Sequence, residues 1–411
     1  MTAPQYEFSI DVGGTFTDCI AHSSATIKRH KLLSSGRTLG NIEELVTEAI
    51  HDRLRVNDPV GFWVGTQLSI INVNGIDDDT KRTIIASDSA GTLTLDSPLP
   101  TSVIGQSYEI QTELSAPIIG IHHLLGIPLN ESLPPINLRL GTTRGTNALL
   151  TRTGSKTALV TTVGFKDLLE IGNQNRPKLF ELNIQKTIPL ITTSIEISER
   201  IDTHGNILQS IDRDQVRLQL ARLFAEGIES LAICLLNSFV NPEHEQVIAE
   251  IANEFPFASV SISSRVSPLI KMVPRADTTV LDAYLNPVLN AYLKQLRAAL
   301  HVDSNVRLLT SAGGLIPADQ FSGKDSILSG PAGGVVGFSH AAKRAGYTRA
   351  IGFDMGGTST DVSRFGGTYD YEYETEKSGV RIVTPMMAIE TVAAGGGSIC
   401  GFDGIKLTVG P

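Results

Sequence analysis

The octet Asp11-Val12-Gly13-Gly14-Thr15-Phe16-Thr17-Asp18 recurs as Asp354-Met355-Gly356-Gly357-Thr358-Ser359-Thr360-Asp361, and the two copies differ only at their second and sixth positions. Each follows a short apolar run, Phe8-Ser9-Ile10 or Ile351-Gly352-Phe353, and each precedes another extended, partly apolar stretch. A Gly-Gly pair between two such runs reads as a tight hairpin turn. With no side chains at the turn, backbone N–H groups can approach an anion closely, and threonine hydroxyls add donors. A carboxylate cannot bind phosphate itself. At the front of each turn, Asp11 and Asp354 suit a hydrated divalent cation that bridges carboxylates to phosphate oxygens. Either octet alone is equally well read as a plain hairpin, because such turns are common in sheet proteins. The repetition in matching context points to two turns gripping one polyphosphate. Neither copy is a Walker A loop or a dinucleotide fingerprint.

The paired D-x-G-G-T-x-T-D turns resemble the two phosphate loops of the actin, sugar-kinase and chaperone ATPase superfamily. Just ahead of the second octet, Ser329-Gly330-Pro331-Ala332-Gly333-Gly334-Val335-Val336-Gly337 is similar to the small-residue helix that precedes the second loop there, with a plain Gly-rich loop as the alternative. Three further stretches resemble one group within it: Leu140-Gly141-Thr142-Thr143-Arg144-Gly145-Thr146-Asn147-Ala148, Ser238-Phe239-Val240-Asn241-Pro242-Glu243-His244-Glu245 and Thr391-Val392-Ala393-Ala394-Gly395-Gly396-Gly397-Ser398-Ile399. That group is the hydantoinase A/5-oxoprolinase family, which includes the ATP-using subunits of acetone and acetophenone carboxylases.

The resemblance implies a two-lobed α/β, actin-like (ribonuclease H-like) architecture, with a mixed sheet flanked by helices in each lobe and the nucleotide between them. It implies an N-terminal domain over residues 5–210 and a second over 230–411. ATP and Mg2+ are the implied cofactors. Gly13, Gly14, Thr15 and Thr17 take one side of the phosphates, and Gly356, Gly357, Thr358 and Ser359 the other. Asp11 and Asp354 orient Mg2+ through its waters. Asp18 and Asp361 anchor the hairpins, with polarisation of a nucleophile by Asp18 left open. Positioning and charge neutralisation are what phosphoryl transfer chiefly needs.

The accepting group implied is the carbonyl oxygen of a cyclic amide such as 5-oxoproline or hydantoin. A hydantoinase B-type module, fused downstream or separate, and an oligomeric assembly are also implied. Family proteins continue past the strand-like Ile405-Lys406-Leu407-Thr408 near the end, so the chain reads as the front part of a longer protein. Gly395, Gly396 and Gly397 resemble the superfamily's adenosine loop, with a lobe contact as the alternative. Thr142, Thr143, Arg144, Thr146 and Asn147 form a strand exit that meets an anion or polar substrate, or else caps a helix. Alternative functions are a ketone carboxylase subunit, a nucleotide-switched module or an inactive fragment.

The elements that must position these residues alternate between strand and helix. A helix is expected over 41–53, followed by an all-β insertion over 57–116 with turns at Asn74-Gly75 and Ala90-Gly91. A strand over 158–162 and a helix over 165–171 lead to the polar Gly172-Asn173-Gln174-Asn175-Arg176-Pro177, a candidate cleft lining or a solvated loop. A helix over 214–226 with one apolar face, closed by Gly227, precedes a buried strand over 231–236. Asn241-Pro242-Glu243 reads as cap, first-turn proline and early acid, which makes His244 structural rather than catalytic. A strand over 259–262, a long helix over 278–300 and a strand over 306–309 lead to the Gly-rich exit Thr310-Ser311-Ala312-Gly313-Gly314.

The 411 residues allow two or three domains, and 41% hydrophobic with 19% charged residues is an ordinary folded-enzyme balance. The net charge of −9 disfavours nucleic acid or an anionic membrane as partner. No apolar run approaches the length of a membrane span, and no secretory signal opens the chain. Cys19, Cys234 and Cys400 have no metal or disulfide spacing, so buried free thiols in a cytoplasmic protein are expected.

Overall fold

The computed structural model describes residues 6–23, 26–72, 75–175, 180, 182–184, 186–357 and 359–410. The chain divides into two compact units. One comprises Met1–Thr142, Leu293–Leu309 and Leu315–Asp319; the other comprises Thr143–Tyr292, Thr310–Gly314 and Gln320–Pro411.

The first unit is built on a six-stranded sheet. Tyr6–Val12, Phe16–His22 and Ile27–Leu33 form an antiparallel meander. Ile136–Thr142 joins Tyr6–Val12 in parallel, Asn305–Leu309 joins it in parallel in turn, and Leu315–Pro317 closes the edge. A meander extended by two parallel strands on the side of its first strand is the ribonuclease H-like order. Phe8, Ile10, Val12, Leu138 and Leu140 alternate into its core. The helix Ala116–Leu125 packs on the meander where Gly120 lies over Cys19; a Cβ there would overlap the thiol sulfur.

The all-β insertion is present, but its seven-stranded sheet begins at Thr38 rather than near residue 57. The helix expected over 41–53 is instead the pair Glu44–Val46 and Ala49–Val56. Ile42, Leu45, Val46, Ala49 and Ile50 do carry a helical period, and tertiary contacts override it. Ile42 and Ile50 belong to a core with Phe62, Trp63, Leu68 and Leu93. The buried Asp52 accepts the Tyr108 hydroxyl at 2.6 Å and the backbone N–H groups of Asn41 and Leu54. Asn74 of the expected Asn74-Gly75 turn lies outside the described residues.

The second unit opens with a four-stranded parallel sheet in the order Thr193–Ile197, Thr157–Thr162, Ser230–Cys234, Ser259–Ile262. The helices Arg213–Ala225 and Glu243–Ala252 bury Val216, Leu220, Leu223, Ile248 and Ile251 against it. Asp212 and Asn241 cap them by accepting backbone N–H groups. The long helix runs over Met272–Ala298 and begins earlier than its apolar pattern suggested, while the expected 165–171 helix shortens to Leu168–Ile171. Next come the helix Ser329–Arg344, which contains the small-residue stretch, and a three-stranded antiparallel sheet of Ala350–Met355, Thr360–Phe365 and Ile389–Val392. Gly352 makes room for the Phe338 ring, which seats the helix on the hairpin.

Among the described residues no helix is long and apolar enough to cross a membrane. All three cysteines are free, and burial pushes the Cys19 thiol up to about 12. Cys400 is exposed, contrary to the expectation that every thiol is buried.

Candidate functional site

Both octets fold as hairpins with the same hydrogen bond across the turn. Gly13 N–H donates to the Phe16 carbonyl at 3.0 Å, and Gly356 N–H to the Ser359 carbonyl at 2.9 Å. Asp11 faces Asp18 across the first pair of strands, as Asp354 faces Asp361 across the second. None of the four octet glycines adopts positive φ. What glycine supplies here is therefore space rather than backbone freedom. A Cβ on Gly14 or Gly357 would meet nothing within 4 Å, so it would project into the open volume over the turn. Asp11, Gly14, Thr15, Asp354, Gly356 and Gly357 are all exposed. Each turn thus presents bare backbone near an exposed carboxylate, an arrangement that can take an anion together with a hydrated cation. Thr358 lies outside the described residues.

The back half of each octet holds the turn in place. Thr17 is fully buried, and its hydroxyl bonds to Ser34 Oγ at 2.9 Å, while Ser34 N–H donates to the Thr15 carbonyl. Thr360 is likewise buried and donates to the Ala394 carbonyl at 2.6 Å. Asp18 pairs with Lys31 at 2.9 Å, and Asp361 accepts the Thr391 hydroxyl at 2.7 Å. Sequence reasoning grouped Thr17 with the phosphate-binding residues. Its side chain instead points into the core, because strand alternation puts Thr17 on the face opposite the exposed Asp18. Thr17→Val is expected to cost about 1–2 kcal/mol, read as a lowered urea midpoint, through the unpaired Ser34 hydroxyl. Nucleotide affinity of the folded variant should stay within about twofold, a factor worth under ~0.5 kcal/mol.

Gly396 and Gly397 brace the second turn, while Gly395 N–H donates to Ser398 Oγ at 2.9 Å within its own loop. Gly396 N–H donates to the Gly356 carbonyl at 2.9 Å and Gly397 N–H to the Gly357 carbonyl at 2.8 Å. A Cβ on Gly397 would lie 3.1 Å from that carbonyl, so a side chain there would push on the turn.

The strand exit divides by role. Thr142 is buried, and Thr146 Oγ1 accepts Leu328 N–H at 3.1 Å, immediately before the helix Ser329–Arg344. Arg144 and Asn147 are exposed, with the Arg144 guanidinium over the Tyr292 ring. Thr143 stands at the start of the helix Arg144–Leu150 without a side-chain capping bond. His244 is buried against Glu199 beside the parallel sheet.

Sequence reasoning missed the tethers Ser34, Lys31, Thr391 and Ala394. Lys31 carried a signal, since it belongs to the basic stretch Lys28-Arg29-His30-Lys31 and sits across from Asp18 one strand away. Among the described residues no three His, Cys, Asp or Glu side chains converge on a metal position. The exposed carboxylates of Asp11 and Asp354 are the donor type that a hydrated divalent cation takes, one or two carboxylates with its own waters.

The profile described as "Hydantoinase/oxoprolinase N-terminal region" matches residues 100–255, and that described as "Hydantoinase/oxoprolinase" matches residues 275–411. The chain belongs to the hydantoinase/oxoprolinase family. The mixed α/β chain carries an actin-like fold. The 5-oxoprolinase of Saccharomyces cerevisiae is 42% identical over 336 residues, covering 72% of this chain and 26% of the relative. That of Dictyostelium discoideum is 42% identical over 316 residues, covering 67% and 25%. The acetophenone carboxylase gamma subunit of Aromatoleum aromaticum is 32% identical over 314 residues, covering 70% and 42%. The matched region thus spans about a quarter of the length of these 5-oxoprolinases. Among solved structures, the ATP-dependent caprolactamase from Pseudomonas jessenii superposes with a TM-score of 0.65 at 24% identity, covering 98% of this chain and 50% of that one. Nucleotide-free acetone carboxylase superposes with a TM-score of 0.64 at 21% identity, over the same shares.

Proposed function

We propose that this hydantoinase/oxoprolinase chain supplies the ATP-binding, phosphorylating part of an enzyme that hydrolyses a cyclic amide of the 5-oxoproline or hydantoin type. The observation that carries this reading is the pair of turns closed by the same cross-turn hydrogen bond, in a chain 42% identical to a 5-oxoprolinase over 336 residues. Gly13, Gly14 and Thr15 on one turn, and Gly356, Gly357, Thr358 and Ser359 on the other, would take phosphate oxygens of ATP. Asp11 and Asp354 would hold Mg2+ through its waters, and bound Mg2+ would neutralise phosphate charge. Thr17, Asp18, Thr360 and Asp361 keep the turns in register. Thr143, Arg144 and Asn147 are candidates for substrate contact.

An amide carbonyl is a poor electrophile. Transfer of the γ-phosphoryl group to its oxygen creates a good leaving group and a carbon that water can attack. That second step would fall to a hydantoinase B-type module, in a cytoplasmic, oligomeric assembly. The ketone carboxylase reading draws on the acetophenone carboxylase gamma subunit, at the lower identity of 32%.

The test is ADP release by the chain, alone and joined to a hydantoinase B-type module, with 5-oxoproline, hydantoin or acetone. Stimulation by a cyclic amide is expected in the joined protein. Stimulation by acetone alone would transfer the assignment to the carboxylases, and no lactam response in the joined protein would refute it.

A further inference from the structure

The first unit has a cavity of about 220 Å3 where the strand Ile27–Leu33, the all-β insertion and the helix Ala116–Leu125 meet. Phe62, Trp63 and Ile119 supply apolar lining, and His30, Arg37 and Arg55 supply polar groups. None of these six residues has a part in the turn chemistry described above.

Arg55 sets this cavity apart from a packing defect. Its side chain is only 14% exposed, yet among the described residues its one hydrogen bond goes to the Leu39 carbonyl, at a long 3.4 Å. Its Nε is buried with no hydrogen-bond partner, and the carboxylates beside it stand off, Asp52 at 3.8 Å and Asp58 at 3.6 Å. Both acids are engaged elsewhere. Asp52 takes the Tyr108 hydroxyl and two backbone N–H groups, while Asp58 accepts Trp63 Nε1 at 2.7 Å and lies 3.2 Å from His123 Nε2. Arg275, fully buried in the second unit, gives the contrast: it donates to two carbonyls, at 3.0 and 2.6 Å. Buried polar groups are nearly always hydrogen-bonded, so a guanidinium lining a cavity with most donors unused marks a place where an acceptor binds.

Two more donors line the same space. The exposed Arg37 guanidinium makes no hydrogen bond among the described residues and has Glu109 at 3.6 Å. His30 makes none either, its ring stacked on His123 with centroids 3.8 Å apart. Burial and then His123 hold its pKa down at about 4, so it is neutral and offers one N–H. Lys31 also lines the cavity but is committed to Asp18. With Asp58 in the lining and Asp52 and Glu109 beside the two arginines, the charge balance suits one added negative charge rather than two.

We propose that this cavity binds a small monocarboxylate with an apolar body, its carboxylate held by Arg55 and Arg37 and its body against Phe62, Trp63 and Ile119. The guanidinium fork matches a carboxylate in bidentate fashion, which gives the site its preference for that head group. The space equals roughly seven water volumes at ~30 Å3 each, enough for an acid built on one small ring and too little for a nucleotide. Phe16 and Lys31 belong both to the cavity lining and to the first hairpin, so an occupant lies against that hairpin.

Trp63 is the single tryptophan of the chain, with the Arg55 guanidinium 5.6 Å from its ring centroid, so indole fluorescence reports this cavity alone. The test is fluorescence titration of the 411-residue chain with cyclohexanecarboxylate, with neutral cyclohexanecarboxamide and with inorganic phosphate. Cyclohexanecarboxylate should give a saturable change with a Kd of about 1 mM or below, and the other two should bind about tenfold more weakly or not at all. Arg55→Lys keeps the charge and loses the fork, and should weaken the carboxylate about tenfold or more. Arg37→Gln, at an exposed position, should weaken it by about fivefold or more. Melting checks the fold of each variant, and Arg37→Gln decides the matter if Arg55→Lys does not fold. No saturable change with cyclohexanecarboxylate would overturn the proposal, as would equal affinity for the carboxamide or unchanged affinity in the folded variants. Tighter binding of inorganic phosphate than of cyclohexanecarboxylate would overturn the carboxylate assignment.

Discussion

Asp354→Asn and Asp11→Asn are each expected to lower Mg-dependent ATP turnover by about a hundredfold or more while leaving the fold intact. Losses of that size follow when a pre-organised charge-stabilising group is removed from a transfer site. Both carboxylates are exposed and front a turn whose glycines leave the space above them open. The substitution keeps side-chain shape and removes the charge that orients the cation's waters. Turn geometry should survive, because it depends on the cross-turn bonds of Gly13 and Gly356 and on the buried Thr17 and Thr360. Asp18→Asn and Asp361→Asn are the matched controls. They alter the carboxylates tied to Lys31 and Thr391 and should disturb turnover far less. Steady-state ADP release with ATP and Mg2+ varied separately decides the matter. Full activity in either front-carboxylate variant would refute its role.

The largest effect on stability is expected at Glu199. Its side chain is fully buried, and His244 Nδ1 lies 2.6 Å from one carboxylate oxygen. The other oxygen accepts the Thr162 hydroxyl, which itself accepts Leu236 N–H at 2.8 Å. The network joins two adjacent strands of the parallel sheet to the start of the helix Glu243–Ala252. Removing one partner of a fully buried hydrogen-bonded network leaves the others unsatisfied, at a cost of about 1–3 kcal/mol for each orphaned group. Glu199→Ala should lower the urea midpoint accordingly, and His244→Ala should lower it in the same direction. Once Glu199 is gone, removing His244 should add little, because the two act as a unit. Additive losses in the double variant would show that the pair is not coupled. His244 is thereby a fold residue, the role its place after the Asn241-Pro242-Glu243 cap suggested.

The repeat of the octet was legible without coordinates because turn chemistry is local. Asp, Gly-Gly and Thr at fixed offsets between two apolar runs dictate a hairpin wherever they occur, and both copies form one. The β/α units of the second unit were legible for the same reason. Caps such as Asp212 and apolar periods such as Val216, Leu220 and Leu223 are encoded within one or two turns of chain. The 41–53 segment shows where this stops. Its apolar residues keep a helical period, yet Asp52 is claimed by Tyr108 and Ile50 by a core drawn from strands much further along the chain. The inward-facing Thr17 is likewise met by Ser34, just past the neighbouring strand of the meander.

What the sequence determined by itself is the presence of two hairpin turns built on one repeated octet and the family they belong to, since both reside in short contiguous motifs. Only the tertiary structure decided which octet side chains face outward and where the insertion begins. Each of those depends on neighbours brought from distant segments, and burial and hydrogen-bond satisfaction exist only once those segments meet.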